Sequence, residues 1–169
     1  MLTIKKSTIN KILANKRKLE KELNVKIEIE NEKAIFDGDS VDVYTAERVV
    51  DALNKNFSME ISFLLLKPDY IMEDIPIKKF TRKTRLMKDV KARIIGKDAK
   101  AIRLITDLSD CYMTLHDNEV SIIGTFDNIK EAKNAIKNLI QGFKHAKIYG
   151  YLEKNKNKYK SEALGLKER

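Results

Sequence analysis

The amino-acid sequence predicts an α+β fold made of two similar units, each a three-stranded sheet packed against helices. Three observations carry this expectation. Apolar residues at helical spacing alternate with short stretches of period two, so neither an all-helical nor an all-strand class accounts for the chain. The order helix, strand, strand, helix occurs twice, as a structural repeat without close sequence identity between the halves. The charge divides along the same line. Residues 1–75 hold 12 Lys+Arg against 14 Asp+Glu and residues 76–169 hold 22 against 11, so the excess behind the net +9 lies entirely in the second half of this 169-residue chain.

Each element has a local reason. Residues 2–5 make a short strand-like start, after which Ile9, Ile12, Leu13, Leu19 and Leu23 recur at helical spacing behind Ser7 as an N-cap, with Asn24 placed to end that helix. Val25, Ile27 and Ile29 alternate with charged residues as a half-buried strand does, and residues 34–36 supply the partner strand across a turn at 30–32. Residues 41–56 then place Val43 or Tyr44, Ala46, Val49, Val50 and Leu53 on one helical face. Ser58 caps a further helix to Leu66, broken by Lys67, Pro68 and Asp69. Residues 70–77 alternate well enough for a strand, which Pro76 ends or confines to an edge.

The second half repeats the plan. Thr81 caps a basic helix through Lys91, with Leu86 and Val90 inward and Arg82, Lys83, Arg85, Lys88 and Lys91 outward, running on into Arg93, Ile94 and Ile95. A glycine turn at Gly96 leads to a helix ending at Asp107 or Leu108, with Ala99, Ile102, Ile105 and Thr106 inward. Residues 112–115 and 119–123 form a hairpin over His116, Asp117 and Asn118. Asp127 opens a helix carrying Ile129, Ala132, Ala135, Ile136, Leu139 and Ile140. Residues 154–160 are polar and basic, and 161–169 read as a weakly docked helix or a disordered tail. The expected domains are therefore 1–77, 78–152 and a basic C-terminal tail, 153–169.

Composition narrows the function classes. The hydrophobic fraction, 43%, is enough to build real cores, and the positive balance suits a polyanionic partner. A single cysteine, Cys111, excludes an internal disulfide and a thiolate cluster and fits a reducing compartment. Its reading is a small, semi-buried apolar residue entering a strand. No apolar run has the length of a signal peptide core or a membrane span, so a soluble cytoplasmic protein is expected. His116 and His145 stand apart from any ligand cluster, so neither metal nor cofactor is expected. No serine, cysteine or carboxylate set has catalytic spacing, so no catalytic residues and no enzyme are expected.

The most informative stretch is 93–103, RIIGKDAKAIR, in which an apolar helical run opens onto a glycine-led basic turn and a second basic helix. Glycine, lacking Cβ, lets another backbone come close, and the amides and cations beside it suit a phosphate. Taken alone, Gly96 reads equally as a simple helix C-cap. The basic run before it is either a solvated face or a track for a nucleic-acid backbone.

The continuation is more specific. VSIIGTFDNI at 120–129, AIKNLIQG at 135–142 and KIYGYL at 147–152 follow the turn, and with it they resemble the tandem-KH assembly factors of the small ribosomal subunit, in particular the archaeal members related to the eukaryotic partner-of-Nob pre-rRNA processing protein. The resemblance is close over about residues 81–152 and looser, though collinear, before that. A KH domain is built around Gly-x-x-Gly between two helices, followed by a strand pair and a third helix. Gly96, Lys97, Asp98 and Ala99 occupy that place, with alanine where the second glycine belongs. Alanine tolerates helical geometry, so the turn is expected to form, while the methyl group limits how closely it meets phosphate.

The resemblance implies an RNA-binding assembly factor that binds single-stranded ribosomal RNA near its 3′ end through the second domain. It also implies a first KH-like domain whose glycine turn has decayed. As protein partners it implies the maturation endonuclease and an initiation factor alpha subunit. The decayed turn is visible directly, because residues 11–18 contain no glycine, and the first unit is therefore expected to act as scaffold or protein-binding surface. The expected RNA groove is lined by the amides of Lys97, Asp98 and Ala99, by the charges of Arg93, Lys97, Lys100 and Arg103 with Lys88 and Arg85 leading in, and by Ile95, Ile102 and Met113 as an apolar floor. Asp98 opposes phosphate electrostatically and is expected to cap the following helix. Tyr149 and Tyr151 read as packing residues rather than stacking ones. The rival function is a protein-interaction adaptor with incidental RNA contact.

Overall fold

The computed structural model describes the backbone of residues 2–79 and 84–163 and, within these, the side chains outside residues 84–86 and 158–163. The cap expected at Thr81 and the cations at 82 and 83 lie outside the described residues. The chain divides into two units, Met1–Tyr70 and Ile71–Arg169, and each contributes its own three-stranded sheet.

The first unit runs β1 (Leu2–Thr3), α1 (Lys6–Ala14), α2 (Lys16–Leu23), β2 (Lys26–Glu30), β3 (Lys33–Asp37), α3 (Ser40–Asn54) and α4 (Met59–Ser62), the last continued by a tight helical turn at Phe63–Leu66. β3 is central, antiparallel to β1 and β2. Asn31 and Glu32 both adopt positive φ, +48° and +62°, which matches the twist of the two strands they join. Register sets Ile27 opposite Phe36 and Ile29 opposite Ala34, and Ile27 and Ala34 are fully buried. α3 buries Ala46, Val49, Val50 and Leu53 as its periodicity demands. Val43 is half-buried and Tyr44 exposed. Ser58 caps α4, its hydroxyl accepting the Ile61 N–H at 3.3 Å.

The helix expected over residues 9–23 is two helices. Its start is fixed by tertiary contact rather than by Ser7: Asn54 Oδ1 on α3 accepts the Lys5 N–H at 2.8 Å and the Thr8 hydroxyl at 3.2 Å. The break falls at Asn15 (φ −122°, ψ 16°), whose Nδ2 donates to Lys11 O at 2.9 Å and closes off α1. α2 ends at Asn24 in the left-handed region, φ 52°.

The second unit runs β4 (Tyr70–Pro76), a short helical turn at Ile77–Lys79, α5 (Thr84–Ile95), α6 (Lys100–Ser109), β5 (Tyr112–His116), β6 (Glu119–Thr125), α7 (Phe126–Ile140) and α8 (His145–Ala163). β6 is central, between β4 and β5. Pro76 closes the edge strand β4, and the Ile77 N–H donates to Asn118 O at 2.9 Å, so the end of β4 meets the start of β6 and the two run antiparallel. Ile75, Ile94, Ile105, Ile122, Ile129 and Ile136 form the centre of the core between the sheet and helices α5, α6 and α7. Apart from α4 and α8, both units share one order, strand, helix, helix, strand, strand, helix, with the last strand in the middle of the sheet.

Two expectations for this unit change. α6 turns Ala101, Ile105 and Ser109 inward, whereas Ile102 and Thr106 are half-buried and Ala99 precedes the helix. The C-terminal segment is helical to Ala163 instead of passing into a tail at 153. Ile148 and Leu152, one turn apart, are buried in the core, the Tyr151 hydroxyl donates to the Glu131 carboxylate, and Lys156 Nζ donates to Asp107 O at 2.6 Å and Asp110 Oδ1 at 2.8 Å. Among the described residues no helix is long and apolar enough to cross a membrane.

Candidate nucleic-acid interface

The turn between α5 and α6 is unusual backbone. Gly96 has φ +73° and ψ 174°, and its N–H donates to Ala92 O at 2.8 Å, so it ends α5 as a helix-terminating glycine does. A Cβ at Gly96 would lie 2.5 Å from Ala101 Cβ and 2.8 Å from Ala101 N, so the small residue at 101 and the glycine at 96 require each other. Asp98 and Ala99 are both left-handed, with φ 53° and φ 59°. Alanine is therefore not accommodated here by right-handed helical geometry: it is held in a conformation that an L-residue adopts only at a cost.

Asp98 makes no side-chain cap to α6, contrary to expectation, and the residue in the N-cap position is Ala99. The main-chain carbonyl of Asp98 is engaged instead: Arg103 Nη2 donates to it at 2.8 Å, bracing the turn from α6. The Ala99 N–H donates to Gly96 O at 3.3 Å. That leaves the amides of Lys97 and Asp98 without a backbone partner among the described residues, available to an anion in a way that buried amides are not.

The other expected residues divide into those around the turn and those turned elsewhere. Lys97 and Lys100 flank the turn, both exposed. Ile95 is 38% exposed just before the turn, Ile102 is half-buried just after it, and α6 packs against β5. Met113 lies on β5, opposite Ile122 and on the core side of the strand. Lys88 is exposed on α5, seven residues before Ile95 and so on the same helical face. The Arg85 side chain lies outside the described residues. Arg93 is directed elsewhere: Nε donates to Leu139 O at 3.3 Å and Nη2 to Phe143 O at 2.6 Å, so its guanidinium clamps the end of α7. The Arg93 carbonyl accepts from His145 Nε2 at 2.9 Å, tying the start of α8 to the last turn of α5.

Two further sites bear on the sequence reading. Cys111 is buried, and burial foremost pushes its thiol up to about 12, with Asp110 adding to the shift and the Ser109 hydrogen bond opposing it. This is an inert packing residue beside Gly124, whose hypothetical Cβ would lie 2.7 Å from the sulfur. His116, read as isolated, has company: its Nε2 lies 2.8 Å from Ser121 Oγ, and the Ser121 hydroxyl donates to the Asp74 carboxylate. Asp74, His116 and Glu119 thus bring their potential ligand atoms within 4.8 Å of one another, a grouping from three strands that linear spacing hides. The bond to Ser121 occupies His116 Nε2, and the trio ties β4, β6 and β5 together.

Comparison with known proteins agrees with this architecture. Residues 71–157 match the family model for a eukaryotic-type KH domain (KH-domain type I), specifically the second KH domain of PNO1. The KH domain-containing protein MJ0443 of Methanocaldococcus jannaschii is 31% identical over 157 residues, covering 89% of this chain and 69% of that protein. The pre-rRNA-processing protein pno1 of Emericella nidulans is 28% identical over 152 residues, covering 81% of this chain and 55% of the fungal protein, so the chain spans about half the length of that relative. Among solved structures, a chain of the a/eIF2alpha–aDim2p–rRNA complex from Pyrococcus horikoshii superposes with a TM-score of 0.82 at 28% identity, over 93% of each chain.

Proposed function

Since this chain belongs to the PNO1/Dim2p family of KH-domain proteins, we propose that it is an assembly factor of the small ribosomal subunit that binds single-stranded ribosomal RNA near its 3′ end through its second unit. The observation that carries this reading is the Gly96 turn, where the amides of Lys97 and Asp98 have no backbone partner among the described residues and lie in one short segment with the exposed Lys97 and Lys100 and the partly exposed Ile95. Amides and cations would take the sugar–phosphate backbone of about four extended nucleotides, while Ile95, Ile102 and Met113 floor the groove for bases. Arg103 holds the turn in shape, and Arg93 positions it by fixing α5 to the end of α7.

The first unit we read as a degenerate KH-like domain. It follows the same strand and helix order, but a single residue, Asn15, separates its two helices, leaving no glycine turn to bring main-chain amides against a phosphate. The Pyrococcus relative crystallised with an a/eIF2alpha subunit as well as RNA, which favours protein partners alongside RNA. The residual alternative is an adaptor that joins an initiation factor subunit or a maturation nuclease to the pre-ribosome with incidental RNA contact.

The deciding measurement is fluorescence anisotropy of the full chain with a single-stranded oligonucleotide from the 3′ end of the small ribosomal RNA. Lys97→Ala with Lys100→Ala should weaken binding about tenfold and reduce the slope of log K against log salt by about 1.4, two phosphate contacts at about 0.7 each. Unchanged affinity and slope would favour the adaptor.

A further inference from the structure

One outer stripe of α7 carries cations and an aromatic ring together. Helical spacing puts Phe126, Lys130, Lys133 and Lys137 on the same side, at i, i+4, i+7 and i+11, away from the buried Ile129, Ala132, Ile136 and Leu139. Phe126 is 68% exposed, more than any other large apolar side chain described in the second unit. With Glu73 of β4, these residues line an open groove of about 190 Å³.

The middle of the stripe is closed and its two ends are open. Lys133 Nζ donates to the Glu73 carboxylate, which ties α7 to β4 and neutralises both groups. Lys130 and Lys137 make no hydrogen bond or ion pair among the described residues. They stand seven residues apart, about 10.5 Å along the helix axis, and an extended chain covers that distance in about three residues. β4 is bordered by β6 on one side only. Because the Ile77 N–H bonds to Asn118 O, strand alternation turns the main chain of Met72 away from β6, toward the open edge. Pro76 has the same parity as Met72 and lacks an N–H, as an edge tolerates. A nucleic-acid backbone has no N–H and C=O pattern to pair with such an edge, and Glu73 and the exposed Asp127 oppose its phosphates. A second copy of this chain would set like charge against like. An extended acidic peptide meets the edge, the cations and the ring at once.

We propose that the groove between β4 and α7 docks an extended acidic segment of a partner protein. The segment adds as a strand to the edge of β4, sets two carboxylates against Lys130 and Lys137, and rests an apolar side chain on Phe126. Main-chain pairing supplies affinity, and the cations and the ring select the sequence. The groove shares no residue with the Gly96 turn, and the proposal does not rest on the RNA reading.

The test uses the full chain and a fluorescent peptide of about eight residues that alternates glutamate with valine, beside the same peptide with glutamine for glutamate. Anisotropy should show the acidic peptide bound about tenfold more tightly than its glutamine counterpart at about 0.1 M salt. Lys130→Glu with Lys137→Glu should remove that advantage and leave an RNA of about four nucleotides within about twofold. Phe126→Ala should weaken the acidic peptide about fivefold. Methylating the peptide nitrogens at every glutamate or at every valine should abolish binding in one pattern and spare it in the other, since only one parity faces the edge. Equal binding of the two peptides, no loss on charge reversal, or equal tolerance of both methylation patterns overturns the proposal. So does loss of RNA binding on charge reversal, which makes the stripe part of an RNA path, or a dimer that the reversal dissociates in light scattering, which makes the occupant a second copy. Should the double variant lose helical content, the single change Lys130→Gln must still weaken the acidic peptide about threefold, and no effect there overturns the proposal too. Lys97→Ala with Lys100→Ala must leave peptide affinity within about twofold, while its effect on RNA alone decides the Gly96 reading, so the two readings fail separately.

Discussion

Replacing Ala99 with glycine tests the turn without removing anything the turn uses. Ala99 sits at φ 59° and ψ 21°, where an L-residue is disfavoured by roughly 1–2 kcal/mol because its Cβ crowds the following carbonyl. Glycine is free of that penalty but loses more chain entropy on folding, about 0.5–1 kcal/mol. Taking midpoints, about 1.5 less about 0.8, the second unit gains about 0.7 kcal/mol, which in a unit of its size raises the melting midpoint by about 3–5 °C. The Ala99 N–H already donates to Gly96 O, and glycine keeps that bond. Removal of the methyl group opens the approach to the neighbouring amides of Lys97 and Asp98, and one better-formed hydrogen bond to a charged phosphate, worth about 1 kcal/mol after losses elsewhere, corresponds to about fivefold in affinity. Thermal melts followed by circular dichroism and anisotropy with a four-nucleotide probe measure both effects. A glycine variant that melts lower and binds no better would refute the reasoning, because it would mean that Ala99 is neither strained nor obstructive.

Other perturbations follow from the same geometry. Gly96→Ala must place a methyl group 2.5 Å from Ala101 Cβ at a φ of +73°, so urea unfolding should show a loss of about 3 kcal/mol. An unchanged midpoint would mean that the turn relaxes freely. Arg93→Ala removes two hydrogen bonds to the carbonyls of Leu139 and Phe143 and should cost about 2 kcal/mol of stability. Arg93→Lys should fail to restore it, since one ammonium cannot reproduce the guanidinium fork; rescue by lysine would show that charge alone matters. Between pH 9 and about 12 the unfolded chain gives up the Cys111 proton that the folded chain keeps. Stability should therefore fall as pH rises through that window, by at most about 1.4 kcal/mol per pH unit from this group. Cys111→Ala should flatten that dependence in urea titrations at successive pH values, and an equally steep dependence in the variant would assign it to other groups.

Much of this architecture is legible in the sequence because the signals are local. The six apolar residues of α7 from Ile129 to Ile140 fall on one stripe and all six are buried, and Ser58, Asn24 and Pro76 bound elements through a side-chain cap, a left-handed backbone and a ring respectively. Legibility fails where the cause lies far along the chain. The start of α1 is set by Asn54, 49 residues away in its bond to Lys5, so Ser7 looked like the cap. The break at Asn15 carries neither glycine nor proline to announce it. In the proposed RNA site, the glycine and its cations are plain, but which cations are engaged elsewhere is a tertiary matter. Nothing near Arg93 in sequence reveals that Leu139 and Phe143 claim it, and nothing near Ala99 reveals a left-handed backbone. The buried face of α6 begins at Ala101, which packs against Gly96, whereas apolar spacing alone places Ala99, Ile102, Ile105 and Thr106 inward. α8 had its signal, Ile148 and Leu152 one turn apart, masked by the lysines that follow.

The central claim, that RNA lies on the Gly96 turn, is tested most directly by titrating the isotope-labelled full chain with a four-nucleotide single-stranded RNA and following the NMR signals residue by residue. The account predicts that the largest shifts fall on the amides of Lys97 and Asp98 and on the methyl groups of Ile95, Ile102 and Met113, while Tyr151 and the Asp74, Ser121 and His116 cluster stay still. Shifts concentrated on that cluster, with the turn unmoved, would contradict it.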